Sequence, residues 1–177
     1  MKLKTIKILS IFGIFLLSFI THNGYEIFPN IFTSFLFPVN ESIFEHMKMI
    51  YTSYIIWSII EYFLIRKSKD VNNYQTSIFI PLLFNIVFFL SIYIPIYNIT
   101  GHNLSITLII YFLSILISQI VSYIILKSNK KLNFLNKYSY LFLLILIMIL
   151  IYLTYYPPKN DLFIDKTQNK IGLNNLY

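Results

Sequence analysis

Five stretches of this chain are long and apolar enough to be read as membrane crossings, and that constrains the fold more than any motif does. A helix rises 1.5 Å per residue, so it needs about 20 residues to span the hydrocarbon core. Runs of that kind occur at about 7–28, 42–65, 77–97, 104–126 and 136–156. Of the 177 residues, 57% are hydrophobic and 12% charged, more apolar material than a soluble core of this size uses. The expectation is an all-α polytopic membrane helix bundle of five transmembrane helices. Residues 1–177 then form a single membrane domain in contact with the lipid bilayer, ending in a polar tail at 157–177.

A net charge of +7 would suit a nucleic-acid partner if the basic residues formed a stripe. They lie instead in short clusters between the apolar runs, so no nucleic-acid partner is expected and the clusters read as topology signals. With the N-terminus inside, ten basic residues are cytoplasmic: Lys2, Lys4, Lys7, Arg66, Lys67, Lys69, Lys127, Lys130, Lys131 and Lys137. Lys48, Lys159, Lys166 and Lys170 are then outside. This partition predicts a cell-membrane protein with a cytoplasmic N-terminus and an outer C-terminus. All three histidines and five of the seven carboxylates then fall on the outer side. Lys2, Lys4 and Lys7 before Ile8–Ile20 imitate a signal peptide, but no pair of small residues follows, and the segment is read as a retained helix. Cysteine is absent, which excludes disulfides, thiolate metal sites and acylation through Cys.

Span one continues through Thr21–Glu26 until Pro29, which would put His22 and Glu26 on one helix face. Residues 30–37 are too short to cross and too apolar for an open loop, so they are expected as an interfacial or re-entrant piece on the outer face. Pro81 and Pro95 predict a kinked third span. Ser114, Ser118 and Ser122 form a small-residue stripe for close helix packing, with Gln119 beside it. Glu61 reads as an interfacial group near the end of span two. Pro157-Pro158 stops the fifth helix.

Charge concentrates in Pro38-Val39-Asn40-Glu41-Ser42-Ile43-Phe44-Glu45-His46-Met47-Lys48. Helix capping explains part of it: Asn40 or a Ser42–Glu45 capping box can start span two, and acidic groups suit the positive end of its dipole. Glu45 can also pair with Lys48. Capping leaves over His46, one glutamate, and the neighbouring His22 and Glu26. Ionisable groups at membrane depth are costly unless paired, so these are expected to converge in one polar pocket near the outer surface. Imidazole and carboxylate are ligands for a divalent metal such as Zn²⁺, with His22, Glu26, Glu45 and His46 as metal candidates. The catalytic candidates are His22, Glu26, Glu41, Glu45, His46 and, from the tail, Asp165.

Four fragments carry a resemblance: His22-x-x-Tyr25-Glu26, Pro38 to His46 with Lys48, Ser118-Gln119-x-x-Ser122-Tyr123, and Tyr156-Pro157-Pro158 followed by Leu162-Phe163-x-Asp165. In order and spacing they resemble a domain-of-unknown-function family of small bacterial multi-pass membrane proteins, over about residues 15–172. Phe44 stands where the family is expected to have Trp, and the tail lacks an Asp-Pro and a terminal Tyr-Gly. The resemblance implies the fold and the choice of residues, and no activity.

Three functions fit these residues. A structural or accessory membrane protein needs only capping and packing. A metal-assisted membrane enzyme acting on a lipid or envelope substrate would use the polar cluster as ligands and acid-base groups. A proton- or ion-coupled carrier would use it as a relay, although no internal repeat supports a transporter.

Overall fold

The computed structural model describes residues 2–66 and 71–175, so Lys67, Ser68, Lys69 and Asp70 of the first basic loop lie outside it. The chain is mostly helical. Its helices are α1 (Leu3–His22), α2 (Gly24–Ile27), α3 (Ile31–Leu36), α4 (His46–Ile65), α5 (Thr76–Thr100), α6 (Leu104–Lys127) and α7 (Asn133–Tyr155). Four stretches are long and apolar enough to cross a membrane: Leu3–Ile27, Thr76–Thr100, Leu104–Lys127 and Asn133–Tyr155. The 20-residue α4 is long enough as well, but Lys48, Glu61 and several hydroxyl side chains make it less apolar than these.

Two boundaries differ from expectation. The first span does not run unbroken to Pro29, because Asn23 leaves helical geometry and its side chain caps the Phe19 carbonyl at 3.0 Å. The second begins at His46 rather than Ser42, since residues 41–45 are held in a bend and turn by side-chain bonds. Residues 30–37 form the short helix α3, whose Asn30–Thr33 capping box satisfies its first N–H groups.

Contacts divide the chain into two compact units, residues 1–15 with 54–140, and residues 16–53 with 141–177. In the first unit, small polar side chains are buried beside apolar ones such as Leu82 and Ile115, and much of the exposed surface is apolar. Asn85, Ser114, Ser118 and Ser122 are fully buried, while Val87, Ile109, Ile120 and Ile124 are exposed. That is the arrangement of helices solvated by lipid, where small and hydroxyl-bearing residues make the interhelical contacts. The serine stripe works in this way. Ser118 meets the Tyr54 hydroxyl, which also accepts from Asn85 at 3.0 Å. Ser122 donates to the Ser77 carbonyl at 2.8 Å, the very group that Pro81 deprives of its helical N–H partner. Close approach also needs Gly13, where a Cβ would run into the Trp57 ring.

At the centre of this unit Lys7 and Glu61 form a buried ion pair, Nζ to Oε1 at 2.5 Å. Lys7 also donates to Ser122 at 2.6 Å and Gln119 at 3.2 Å, and Ser10 donates to the second Glu61 oxygen at 2.9 Å. From their places in the sequence, Lys7 is expected as a topology signal and Glu61 as an interfacial group. Both are instead interior, each neutralised by the other.

The second unit holds residues 141–155 of α7, the Pro38–Glu45 loop and the tail. The tail is not simply polar coil. It forms a three-stranded antiparallel sheet of β1 (Ile164–Asp165), β2 (Lys170–Ile171) and β3 (Asn174–Asn175), with Ile164 opposite Ile171 and Ile171 opposite Asn174. Asn169, at φ 52°, makes the turn between the first two strands.

The buried Lys7–Glu61 pair gives the first test. Glu61→Gln should cost about 3–5 kcal/mol, because it strands an ammonium away from water. The double variant Lys7→Met with Glu61→Met should recover most of that loss, measured by denaturant unfolding in detergent. Equal losses in both would mean that Glu61 matters for packing alone.

Candidate functional site

The site is built on the Pro38–Glu45 loop, and the loop is held by buried polar contacts. Asn40 Oδ1 accepts from the Ser42 N–H at 2.9 Å, and Ser42 Oγ accepts from the Glu45 N–H at 3.3 Å. Only half of a Ser42–Glu45 capping box forms, because the Glu45 carboxylate is engaged elsewhere. It takes the Lys48 ammonium at 2.6 Å, the Thr154 hydroxyl at 2.7 Å and the Val39 N–H at 3.1 Å. Lys48 in turn donates to the Ser34 carbonyl at 2.8 Å. Both charged side chains are almost wholly buried, and both are paired.

The tail closes over the same loop. Phe163 stacks on Phe44 with ring centres 4.4 Å apart, and the Phe44 N–H donates to the Leu162 carbonyl. Asn40 donates to the Gly172 carbonyl at 2.7 Å. Gly172 adopts φ 54° against the Thr154 backbone, a place with no room for a side chain. Asp165 Oδ2 accepts from the Glu41 N–H at 2.9 Å, while its Oδ1 accepts from the Thr167 and Gln168 N–H groups and the Thr167 hydroxyl.

With its backbone fixed on both sides, Glu41 presents its carboxylate to two histidines. The distances are 3.4 Å from Glu41 Oε2 to His22 Nε2, 3.7 Å to His46 Nε2, and 3.3 Å between the two Nε2 atoms. His46 Nδ1 lies 2.8 Å from the Ser42 carbonyl. A carbonyl can only accept, so that nitrogen carries the proton, and in a neutral ring Nε2 keeps its lone pair for the cluster. His22 Nδ1 lies 3.5 Å from Asn23 Oδ1, a longer contact of the same sense. The side chains of His22, Glu41 and His46 are 28%, 39% and 19% exposed, so the cluster is reachable from outside. Contact with His22 holds the Glu41 carboxyl below its ordinary value, against the effect of burial.

These three residues form the one group of ligand-bearing side chains close enough to share a metal ion among the described residues. Zn²⁺ binds imidazole and carboxylate at 2.0–2.2 Å in a tetrahedron, which places neighbouring ligand atoms about 3.3–3.5 Å apart. Two of the three edges, 3.3 and 3.4 Å, have that spacing, and the third, 3.7 Å from Glu41 to His46, is slightly longer. A histidine whose Nδ1–H is held by a backbone carbonyl, as His46 is by Ser42, has its ring oriented in the way metal-ligating histidines usually are.

The sequence-predicted residues therefore separate. His22, Glu41 and His46 come together. Glu45 faces the interior and positions the loop; it is not available as a ligand. Asp165 holds the Glu41 backbone rather than reaching the cluster. Glu26 is exposed beyond the break at Asn23 and lies outside the group. Sequence reasoning missed Thr154 and Ser34, whose hydroxyl and carbonyl complete the buried pair. Neither carries a local signal, since both act across long separations.

The profile of a family of unknown function, DUF6512, matches residues 1–173. The chain belongs to DUF6512. No curated protein and no solved structure matches it. The match takes in the loop, the cluster and the docked tail of this DUF6512 member, so every residue of the site lies in the family region.

Tail docking should depend on pH. Burial alone would raise the Asp165 carboxyl, but the donors from Thr167, Glu41 and Gln168 outweigh it and hold it below its ordinary value of 3.8. A depressed carboxyl stabilises above its unfolded pKa and loses that contribution as pH falls through the folded one. Hydrogen-exchange protection factors at residues 163–171 should fall below about pH 4, and Asp165→Asn should show lowered protection already at pH 7. Protection unaffected by either change would show that Asp165 does not hold the tail.

Proposed function

We propose that this protein is a single membrane domain of five transmembrane helices in a bacterial cell membrane, with a divalent-metal centre on its outer face. His22, Glu41 and His46 are the ligands, and Glu45 and Asp165 are positioning residues. The fifth span is α4, whose 20 residues reach about 30 Å. Its two charges, Lys48 and Glu61, are each neutralised by a partner, which supports burial at membrane depth. The partition of basic residues supports a cytoplasmic N-terminus and an outer C-terminus. The exposed Ile27, Phe28, Ile31 and Phe32 support an interfacial position for α2 and α3.

One observation carries the metal reading: three ligand atoms separated by 3.3, 3.4 and 3.7 Å, the edges of a tetrahedral site. Two imidazoles and one carboxylate leave the fourth position open to solvent, as in catalytic rather than structural zinc sites. A metal held by His22, Glu41 and His46 would lower the pKa of a bound water and polarise an acyl or phosphoryl oxygen, which makes hydrolysis of an ester in a lipid or envelope substrate the reaction class. A structural or accessory role is the second reading, supported by the density of hydrogen bonds that tie loop and tail together.

Metal analysis and calorimetry of the purified protein decide between them. One Zn²⁺ per chain is expected, lost in His22→Ala, Glu41→Gln and His46→Ala and retained in Glu26→Gln. Asp165→Asn, which loosens the Glu41 backbone without touching a ligand atom, should weaken binding but not abolish it. Absence of binding by the folded wild type leaves the accessory role. A single cysteine at Asn169 should react with an impermeant thiol reagent in intact cells, and one at Asn129 should not; the reverse pattern inverts the topology.

A further inference from the structure

The first unit carries a lateral cleft of about 320 Å³ beside the Lys7–Glu61 pair, away from the residues of the metal cluster in sequence. Ile8, Ile11 and Ile120 supply apolar walls, and Lys4 and Tyr123 also line it. Lys7 contributes only its stem, because its ammonium is bound to Glu61, Gln119 and Ser122. Contacts fix the direction of the cleft. Lys7 meets Gln119 and Ser122, while Phe12 and Phe15 meet Phe112, so α1 and α6 run antiparallel. Lys4 and Tyr123 therefore share one end, and the exposed Lys127 follows one turn beyond Tyr123. From Lys4 to Ile11 the cleft follows α1 for about 10 Å.

Charge in the sequence of this unit is unbalanced. Residues 1–15 and 54–140 contain ten Lys and Arg but only Glu61 and Asp70 as acids, and Glu61 is committed to Lys7. Asp70 belongs to the stretch outside the described residues. Lys4 and Lys127 are both exposed. A cleft with cations at one end and isoleucine along its length is complementary to an anionic amphiphile.

We propose that this cleft binds one anionic phospholipid of the surrounding leaflet. The Lys4 ammonium and Tyr123 hydroxyl receive the phosphate, Lys127 adds its charge from the helix end, and Ile8, Ile11 and Ile120 pack against the first part of an acyl chain. A free phosphate would leave the apolar walls unused, which favours the lipid over a soluble anion. The site rests on the membrane reading above and is independent of the metal centre.

Native mass spectrometry of the detergent-purified full chain tests it, by titration with phosphatidylglycerol and with phosphatidylcholine of the same acyl chains. Wild type should hold one phosphatidylglycerol at least about fivefold more tightly than phosphatidylcholine, and Lys4→Gln should lose about that factor, the worth of one lysine near an anionic headgroup. Lys4 is exposed, so an unchanged melting temperature shows that the variant is folded. Ile120→Trp, which fills the cleft from an exposed position, should weaken both lipids. Equal affinity for the two lipids, no effect of Lys4→Gln, or displacement of phosphatidylglycerol by millimolar inorganic phosphate would each overturn the proposal. Zn²⁺ binding should be the same in all these variants, so a failure here is separable from a failure of the metal reading.

Discussion

The Glu45 carboxylate is the interaction on which the second unit depends. It is buried, and burial of an ionised group is tolerable only when its lone pairs are filled. Lys48, Thr154 and the Val39 N–H fill them. Because these partners come from α4, from α7 and from the loop itself, a single charge fixes where helix and loop meet. Lys48 then extends the constraint to α3 through the Ser34 carbonyl. Losing one partner of such a network costs more than any pairwise bond in it, since the remaining charge is left without solvent.

From this anchor the site follows in steps. A fixed loop lets the tail dock: Asp165 accepts from the Glu41 N–H that the bend leaves open, and the Gly172 carbonyl accepts from the Asn40 side-chain amide. A bent backbone at Glu41 sends its side chain away from Glu45, although the two are four residues apart. One carboxylate goes inside to a lysine and the other goes to two histidines. Adjacent acids thus acquire different duties because the helix starts at His46 and not before Glu41. His46 occupies the first helical position, where its Nδ1 reaches back to the Ser42 carbonyl and turns Nε2 toward His22.

Much of this was legible in the sequence, and the reasons for the rest are physical. Apolar runs of about 20 residues locate helices well, and the ends of α6 fall within one residue of expectation. His22 and His46 were readable as partners because both follow or precede apolar spans joined by a short connection. The separation of Glu41 from Glu45 was not readable, since it depends on Thr154 and Lys48 arriving from other elements. Helical spacing suggested Glu26 as the partner of His22, and the break at Asn23 removes that register. Lys7 and Glu61, 54 positions apart, looked like ordinary end-of-helix charges. Nothing local distinguishes a lysine that snorkels from one that turns inward to an acid. The small sheet of the tail was equally hidden, because two-residue strands carry no periodicity.

The buried scaffold around Glu45, completed by the tail, holds His22, Glu41 and His46 together, and whether they take a metal ion as proposed can be read from the ion's own surroundings. X-ray absorption at the zinc edge of the loaded protein measures this directly. A four-coordinate ion is expected, with two imidazole nitrogens at about 2.0–2.1 Å, one carboxylate oxygen and one water. A six-coordinate shell of oxygen atoms without imidazole scattering would contradict it.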